Sequence, residues 1–386
     1  MRILQVLHDG RLGGPQWRII QVAQALRSRG ISTHVIFPFS DRDFPRLLEE
    51  AAVTYECADL VRLRATRRPD IQAKWAAMFL PNVRTIQRAI EVRKIDVVHV
   101  NGLMNIQGAL AARRSGVPLL WHLNAEGIPT QVMRALRQPL QRWPEVIAIS
   151  APALQPYYGL NGTALSSRVH VLFPPVDTRR FSRPVMPPVS RSEFGLPDDS
   201  LVVGTVGNLN PLKGTDIFLE ALAAARRVEP ALFGVIVGAE LSTRKAFTDR
   251  LQGLASSPYL SSGVRFLGRR LDVERVLAVL DFYAHPARAE GVGMAAMEAS
   301  AMGLPVIASA TGGLVDVVDD GVTGALVEPA NVEALSEAML NFAADEGLRR
   351  QMGMSGAQKM ARHTPDATAR SHAIAYDAAL SSTRTA

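Results

Sequence analysis

One stretch constrains the fold more than any other: Ala287-Arg288-Ala289-Glu290-Gly291-Val292-Gly293-Met294-Ala295-Ala296-Met297-Glu298-Ala299-Ser300-Ala301-Met302-Gly303-Leu304-Pro305. An apolar run from Val276 to His285 precedes it, and another from Val306 to Ser309 follows. The order reads as strand, glycine-broken loop, helix, strand. Gly303 followed by Pro305 stops the helix. Between Gly293 and Met302 every position is Ala, Met, Ser or Gly except Glu298, and a helix apolar on all sides is a buried helix. Glu298 is therefore expected to be a buried carboxylate in need of partners. Glu290 stands just ahead of the helix, where free amides and the helix dipole collect anions. Two carboxylates thus bracket an anion site. A ligand with both hydroxyls and phosphates fits: hydroxyls for the carboxylates, phosphates for the amides.

The rest of the chain repeats this strand-and-helix alternation twice. Arg2 to Leu7 is a short apolar strand, followed by the glycine loop Asp9-Gly10-Arg11-Leu12-Gly13-Gly14-Pro15 with Pro at the first helical turn. Trp17 to Arg29 has helical periodicity and ends at Gly30. Further strands are expected at Thr33–Phe37, Asp96–Val100, Leu119–Leu123, Val146–Ile149 and Val169–Leu172, with a helix over Asn105–Ser115. Residues 174–198 carry Pro174, Pro175, Pro184, Pro187, Pro188 and Pro197 and read as a linker. The pattern restarts with strands at Leu201–Val206, Leu232–Val237 and Val264–Phe266 and a helix from Thr215 to Arg227. Asn331–Asp345, a segment to His363 and the tail from Thr364 to Leu380 are expected to be helical. At 386 residues two domains are the default, and the alternation implies two doubly wound parallel sheets, an α/β fold with ligands at the carboxyl ends of the strands. We divide the chain into residues 1–180, 181–363 and a C-terminal helix, 364–386, that returns to the first domain. The two domains are expected to face each other across a cleft.

The single cysteine, Cys57, permits no internal disulfide and suggests a reducing compartment. The opening residues turn polar too soon for a secretory signal, and no apolar run reaches spanning length, so a cytoplasmic protein is expected. The net charge of +7 admits nucleic acid, an anionic membrane or phosphorylated substrates. No nucleic-acid motif supports the first. Arg62, Arg64, Arg67, Arg68, Lys74, Arg84, Arg88, Arg93 and Lys94 interleave with Trp75, Met78, Phe79 and Leu80, and this basic segment reads either as a membrane-surface element or as a helix with a solvated face broken at Pro81.

Other candidates are weaker. Gly207-Asn208-Leu209-Asn210-Pro211-Leu212-Lys213-Gly214-Thr215 lies between strand and helix but lacks Walker spacing, so Lys213 is either a phosphate ligand or a loop lysine. Gly13-Gly14 is not a dinucleotide fingerprint but allows close backbone approach. His122 ends a strand, where α/β folds put functional groups, whereas His99 reads as buried. Asp41-Arg42-Asp43 has a metal-binding form but reads as a solvated loop, and the histidines show no metal spacing. Asn161-Gly162-Thr163 is a sequon without consequence inside a cell.

Taken together, Glu290-x7-Glu298 within Glu-Gly-x-Gly-x-x-x-x-Glu-Ala resembles the signature of family 4 retaining glycosyltransferases of GT-B architecture. Gly204 through Gly214 is similar to that family's phosphate loop. Val171–Phe181 resembles its entry to the second domain, and Thr311-Gly312-Gly313 with Asp316, Asp320, Gly321 and Gly324 its late loop. Gly13-Gly14 and His122 match positions in its first domain. The resemblance implies that Glu298 binds the ribose and Glu290 the donor sugar. The backbone of Gly291, Val292, Gly293, Met294 and Ala295 would hold the diphosphate, together with Lys213 and the Gly207-Asn208 loop. His122 would reach the donor sugar. Glu290, His122 and Lys213 would be the catalytic residues, with no metal or other cofactor. The partners implied are a nucleotide-sugar donor and a glycan or lipid-linked acceptor, with a product in cell-surface polysaccharide or lipopolysaccharide synthesis. Three residues depart from the pattern: Asn208 replaces an Arg, Asp316 a Glu and Val292 a Phe. Arg11 or Arg288 would have to supply the missing cation. Two alternatives remain, a nucleotide-sugar epimerase of the same architecture and a non-catalytic subunit with a weakened donor site.

Overall fold

The computed structural model describes residues 1–63, 68–124, 128, 130–160, 166–185, 187–240 and 245–383. Asn161-Gly162-Thr163, Arg64 and Arg67 lie outside them. The chain forms two units, Met1–Pro175 with Pro365–Ala386, and Val176–Thr364.

The first unit contains β1 (Arg2–Val6), α1 (Gly14–Arg27), β2 (Ser32–Phe37), α2 (Asp43–Glu50), β3 (Thr54–Cys57), α3 (Pro69–Arg93), β4 (Val97–Asn101), α4 (Ile106–Arg114), β5 (Leu119–Leu123), α5 (Thr130–Arg142), β6 (Val146–Ile149), α6 (Leu154–Tyr157) and β7 (Val169–Val171). Its parallel sheet has the order β3-β2-β1-β4-β5-β6-β7. Strands β4, β5 and β6 are buried on both faces, which is why they read as continuous apolar runs. The second unit contains β8 (Leu201–Val206), α7 (Thr215–Ala225), β9 (Leu232–Val237), α8 (Lys245–Ala255), β10 (Val264–Gly268), α9 (Val273–Ala278), β11 (Phe282–His285), α10 (Met294–Ala301), β12 (Val306–Ser309), α11 (Leu314–Val317), β13 (Gly324–Val327), α12 (Val332–Ala344) and α13 (Glu346–Met360). Its parallel sheet runs β10-β9-β8-β11-β12-β13. The tail is α14 (Pro365–Thr383), whose Ala369, Ala375, Tyr376 and Ala379 share a core with Ile3, Leu26 and Val97 of the first unit.

Each sheet reverses direction of growth once, between β1 and β4 and between β8 and β11. The loops leaving these adjacent strands diverge, and the gap between them is where doubly wound sheets hold ligands.

Three expectations need correction. The run Val276 to His285 is not one strand: α9 ends at Ala278 and β11 begins at Phe282. A short apolar run carries no periodicity that separates buried helix from strand. The proline-rich span is mostly not a linker. The chain crosses between units at 175/176 and 364/365, so residues 176–198 belong with the second unit. Arg180 pairs with Glu274 at 2.7 Å, Arg191 pairs with Asp281 at 2.7 Å, and Arg183 donates to the Leu280 carbonyl, while Phe181 and Phe194 are buried. Pro81 does not break α3, which runs through it for 25 residues. Asn82 anchors the helix beyond it: its side chain accepts from Val61 N and donates to the Asp59 carbonyl. Arg84 and Arg88 face solvent, opposite Val83 and Ile86.

Candidate active site

The glycine loop after β8 and the loop after β11 meet at the second unit's switch point. Gly214 takes φ +68°, and a Cβ there would stand 1.8 Å from the Pro286 carbonyl oxygen, so no other residue lets these loops approach so closely. Arg288 N donates to the Leu212 carbonyl at 2.8 Å. The Arg288 guanidinium grips Asp216 at 2.8 and 2.9 Å and the Pro211 carbonyl at 2.7 Å. Arg288 is thus a brace between loops, not a spare cation for the position of Asn208. Arg11, in the first unit, is likewise engaged with Asp9 at 2.6 Å. Asn208 itself is exposed.

This bracing brings Lys213 onto Glu290. The ammonium pairs with Glu290 Oε2, and its stem runs 3.6 Å from where a Cβ on Gly207 would stand. His285 Nε2 lies 2.9 Å from the same Oε2, and Gly291 N donates to Oε1 at 3.0 Å. Burial alone would raise the Glu290 pKa, but the Lys213 charge and the His285 hydrogen bond overcome it and hold the carboxyl well below the usual range. Glu290 is therefore an ionised carboxylate with its side chain 11% exposed, while that of Lys213 is 31% exposed and faces outward.

Helix α10 starts immediately after, with Gly293 at φ +86° as its N-cap. A Cβ on Gly293 would lie 2.5 Å from Leu314 Cδ2, and Gly313 N donates to the Gly291 carbonyl at 2.9 Å, so the late glycine loop packs on the helix start. The first amides of α10, at half-buried Met294 and Ala295, have no carbonyl of the helix four residues back. Val292 is buried. Glu298, one turn into the helix, is half-buried, and burial, reinforced by Glu274 and opposed by Arg180, pushes its pKa up to about 7. The two carboxylates are thus shifted in opposite directions.

The first unit's candidates behave differently. Gly13 caps α1 in extended conformation, Gly14 is its first residue, and Gln16 donates to the Asp9 carbonyl at 2.8 Å. His122 is fully buried, as is His99. Arg18 Nη1 lies 2.6 Å from His122 Nδ1, and the other arm of Arg18 donates to Asn101 Oδ1. Ser150 Oγ is 2.9 Å from His122 Nε2, and His99 Nδ1 is 2.8 Å from the hydroxyl of Tyr376 on α14. Burial, then the Arg18 charge, keeps His122 and His99 neutral. The side chain at the strand end turns into the protein, under α14, with no surface through which to meet a sugar.

Asp41 is likewise occupied. It accepts from Leu12 N at 3.1 Å and from Asp43 N and Phe44 N at 3.2 Å, tying the glycine loop to the start of α2. No cluster with metal-ligand composition occurs among the described residues. Beside Asp9, a cavity of about 510 Å³ opens between the β1, β2 and β3 loops and the start of α3, lined by His8, Arg11, Asp59, Arg62, Asp70 and Lys74 among others. Sequence reasoning missed His285 and Tyr283. The available signal was two polar side chains ending an otherwise apolar strand.

Two doubly wound parallel sheets, with a lysine–carboxylate pair at a helix start beside the second sheet's switch point, are the features of the GT-B class of glycosyltransferase. Comparison with known proteins agrees. Residues 188–359 match the family Glycosyl transferases group 1, and residues 12–180 match Glycosyltransferase Family 4. The D-inositol 3-phosphate glycosyltransferase of Mycolicibacterium smegmatis is 30% identical, over 95% of this chain and 87% of that protein. The enzyme of the same name from Actinosynnema mirum is 29% identical over 95% and 92%. Among solved structures, Anabaena HepE in complex with UDP and glucose superposes with a TM-score of 0.80 at 23% identity, covering 97% of this chain and 98% of that one. Sucrose-phosphate synthase from Thermosynechococcus elongatus gives 0.78 at 19%, over 97% and 98%. The chain belongs to the family 4 glycosyltransferases and is a glycosyltransferase.

Proposed function

We propose that this enzyme moves a sugar from a nucleoside-diphosphate sugar to a hydroxyl of a glycan, glycolipid or small polyol, with retained anomeric configuration and no metal ion, in the synthesis of a cell-surface polysaccharide or lipopolysaccharide. The observation that carries the reading is the Lys213–Glu290 pair beside the first turn of α10. Departure of a nucleoside diphosphate builds negative charge on phosphate oxygens. A half-exposed ammonium and free helix amides are fixed donors for that charge. Glu290, ionised and aimed by two donors, positions Lys213 and reaches the sugar. Glu298 accepts the ribose hydroxyls in its charged form. A uridine diphosphate sugar is the first donor to test, because HepE is seen with UDP and glucose. A polyol phosphate is the first acceptor, because the relatives are named for one. The first unit's cavity, with cations and carboxylates intermixed, is the proposed acceptor pocket.

The outer surface of α3 supports a second element of the reading, contact with an anionic bilayer from the cytoplasmic side. Arg84 and Arg88 project outward, and Leu80 is 46% exposed. No described helix is long and apolar enough to cross a membrane.

A thermal-shift panel of nucleoside-diphosphate sugars, followed by NMR of the anomeric proton in the product, tests the assignment. Stabilisation by one donor and transfer with retention in the presence of chelator are expected. Donor hydrolysis or epimerisation without transfer, inverted product, or activity lost with chelator overturns it. Binding without turnover against any polyol, glycan or glycolipid acceptor moves the chain to the non-catalytic reading that Asn208 favours.

A further inference from the structure

Behind Glu290 lies a buried chain of polar groups outside the Glu290-x7-Glu298 stretch. His285 is 3% exposed and Tyr283 not at all. Both lie on β11, two residues apart, and so point to the same side of the sheet. His285 Nε2 is 2.9 Å from Glu290 Oε2, and its Nδ1 is 3.0 Å from the Tyr283 hydroxyl. Val206 N lies 3.3 Å from that same hydroxyl.

One set of directions runs consistently from the carboxylate to the backbone. The Glu290 carboxylate only accepts, so the proton lies on His285 Nε2. Nδ1 of a neutral imidazole is then an acceptor and takes the Tyr283 proton. The tyrosine oxygen in turn accepts from the Val206 amide, which only donates. We infer that His285 is a positioning residue for the donor site, held by Tyr283 and the Val206 amide as the neutral Nε2–H tautomer so that it fixes Glu290 Oε2 under Lys213. This rests on the donor-site reading of Glu290 and Lys213. Its consequence is electrical as well as geometric. A neutral His285 leaves Lys213 and Glu290 balanced, so the lysine is the site's working cation. A doubly protonated imidazole would add a second positive charge and retain the nucleoside diphosphate product. The opposite arrangement, an imidazolium donating to the tyrosine oxygen while the hydroxyl turns to the Val206 carbonyl 3.4 Å away, is the competing structure.

Nitrogen-15 NMR of the histidine-labelled protein without ligand, with His285 assigned by its loss in His285→Gln, reads the tautomer directly. A protonated Nε2 and a bare Nδ1 are expected, and Tyr283→Phe, which removes only the donor to Nδ1, should shift the bare-nitrogen resonance and leave the proton on Nε2. Two protonated nitrogens at neutral pH overturn the proposal. Kinetics supply the second arm. A glutamine amide reaches the position of Nε2 and an asparagine amide that of Nδ1. His285→Gln should therefore keep kcat within about tenfold, and His285→Asn should lose about a hundredfold in kcat with little change in donor KM. Equal losses in the two variants overturn the positioning role. Should His285→Asn fail to fold, the wild-type tautomer still decides. If Glu290→Gln leaves transfer untouched, it is the donor-site reading that has failed, whatever the tautomer.

Discussion

Two polar clusters occupy equivalent places in the two sheets, and they have opposite characters. In the first unit Arg18, His99, His122 and Asn101 interlock beneath α14 with no carboxylate among their hydrogen-bond partners in the described residues, and all four are buried. Burial lowers the Arg18 pKa to about 10, still far above neutrality, so its charge is spread over neutral acceptors. In the second unit a lysine, a carboxylate and a histidine stand in line, and the lysine end is open. The difference lies in what covers each cluster. Helix α14 places His372 and Tyr376 against the first, with ring centroids 5.9 and 5.8 Å from that of His99. Beside the second the late glycine loop packs on the flank of Glu290, through Gly313 N on the Gly291 carbonyl, and leaves the Lys213 side chain 31% exposed. A strand-end histidine is therefore no guide to chemistry until the covering element is known.

The comparison breaks most sharply at Glu290. Glu290→Gln should lower kcat about a thousandfold while nucleotide affinity, read by calorimetry, stays within a few-fold. Unchanged turnover would remove the second cluster from catalysis. His122→Ala should instead cost about 2–3 kcal/mol of stability in urea unfolding, because it leaves a cavity and strands the donors of Arg18. Transfer per folded molecule should be unaffected. A variant that unfolds normally but cannot transfer would make the first cluster a reacting site. Lys213→Ala should weaken nucleoside diphosphate binding roughly ten- to a hundredfold, because it removes one charge-assisted hydrogen bond to phosphate. Equal affinity returns it to an ordinary loop lysine.

Glu298→Gln should act most gently and with the unusual sign. Folding raises this carboxyl from 4.5 to about 7, so between those values the native state holds the extra proton and stability falls as pH rises. The substitution should raise stability by about 1 kcal/mol at pH 8 and by nothing near pH 4, while weakening nucleotide binding. A gap between variant and wild type that does not widen across pH 5 to 7.5 contradicts the buried-carboxylate reading. The surface patch is the last and smallest test. Neutralising Arg84, Arg88 and Arg93 together should lower flotation with anionic liposomes, and undiminished flotation rejects the membrane contact.

Much of the fold was legible because its central strands are buried on both faces. Val146–Ile149, Leu201–Val206, Leu232–Val237 and Val306–Ser309 have the bounds that their apolar runs indicate. Helix ends were legible where a side chain caps them, as Asn105 and Asn331 do through Gly108 N and Ala334 N. Illegible were the strand Thr54–Cys57, at the sheet edge with no fully buried residue, and the amphipathic but arginine-rich α5, whose Met133 and Leu136 find their face only against the core. Of the site, the glycine spacing and the two carboxylates were visible. Their charge states were not, since each depends on neighbours distant in sequence.

Sequence alone determined the two parallel sheets, the helix apolar on all sides with one glutamate in it, and the family, because buried runs, helix stops and glycine positions are local and periodic signals. Tertiary structure alone decided that Lys213 meets Glu290 across 77 residues, that Arg288 braces a loop through Asp216, and that His122 is sealed while His285 is coupled to Glu290. Burial and the company of charges set those outcomes, and both exist only once distant loops have been brought to the same strand ends.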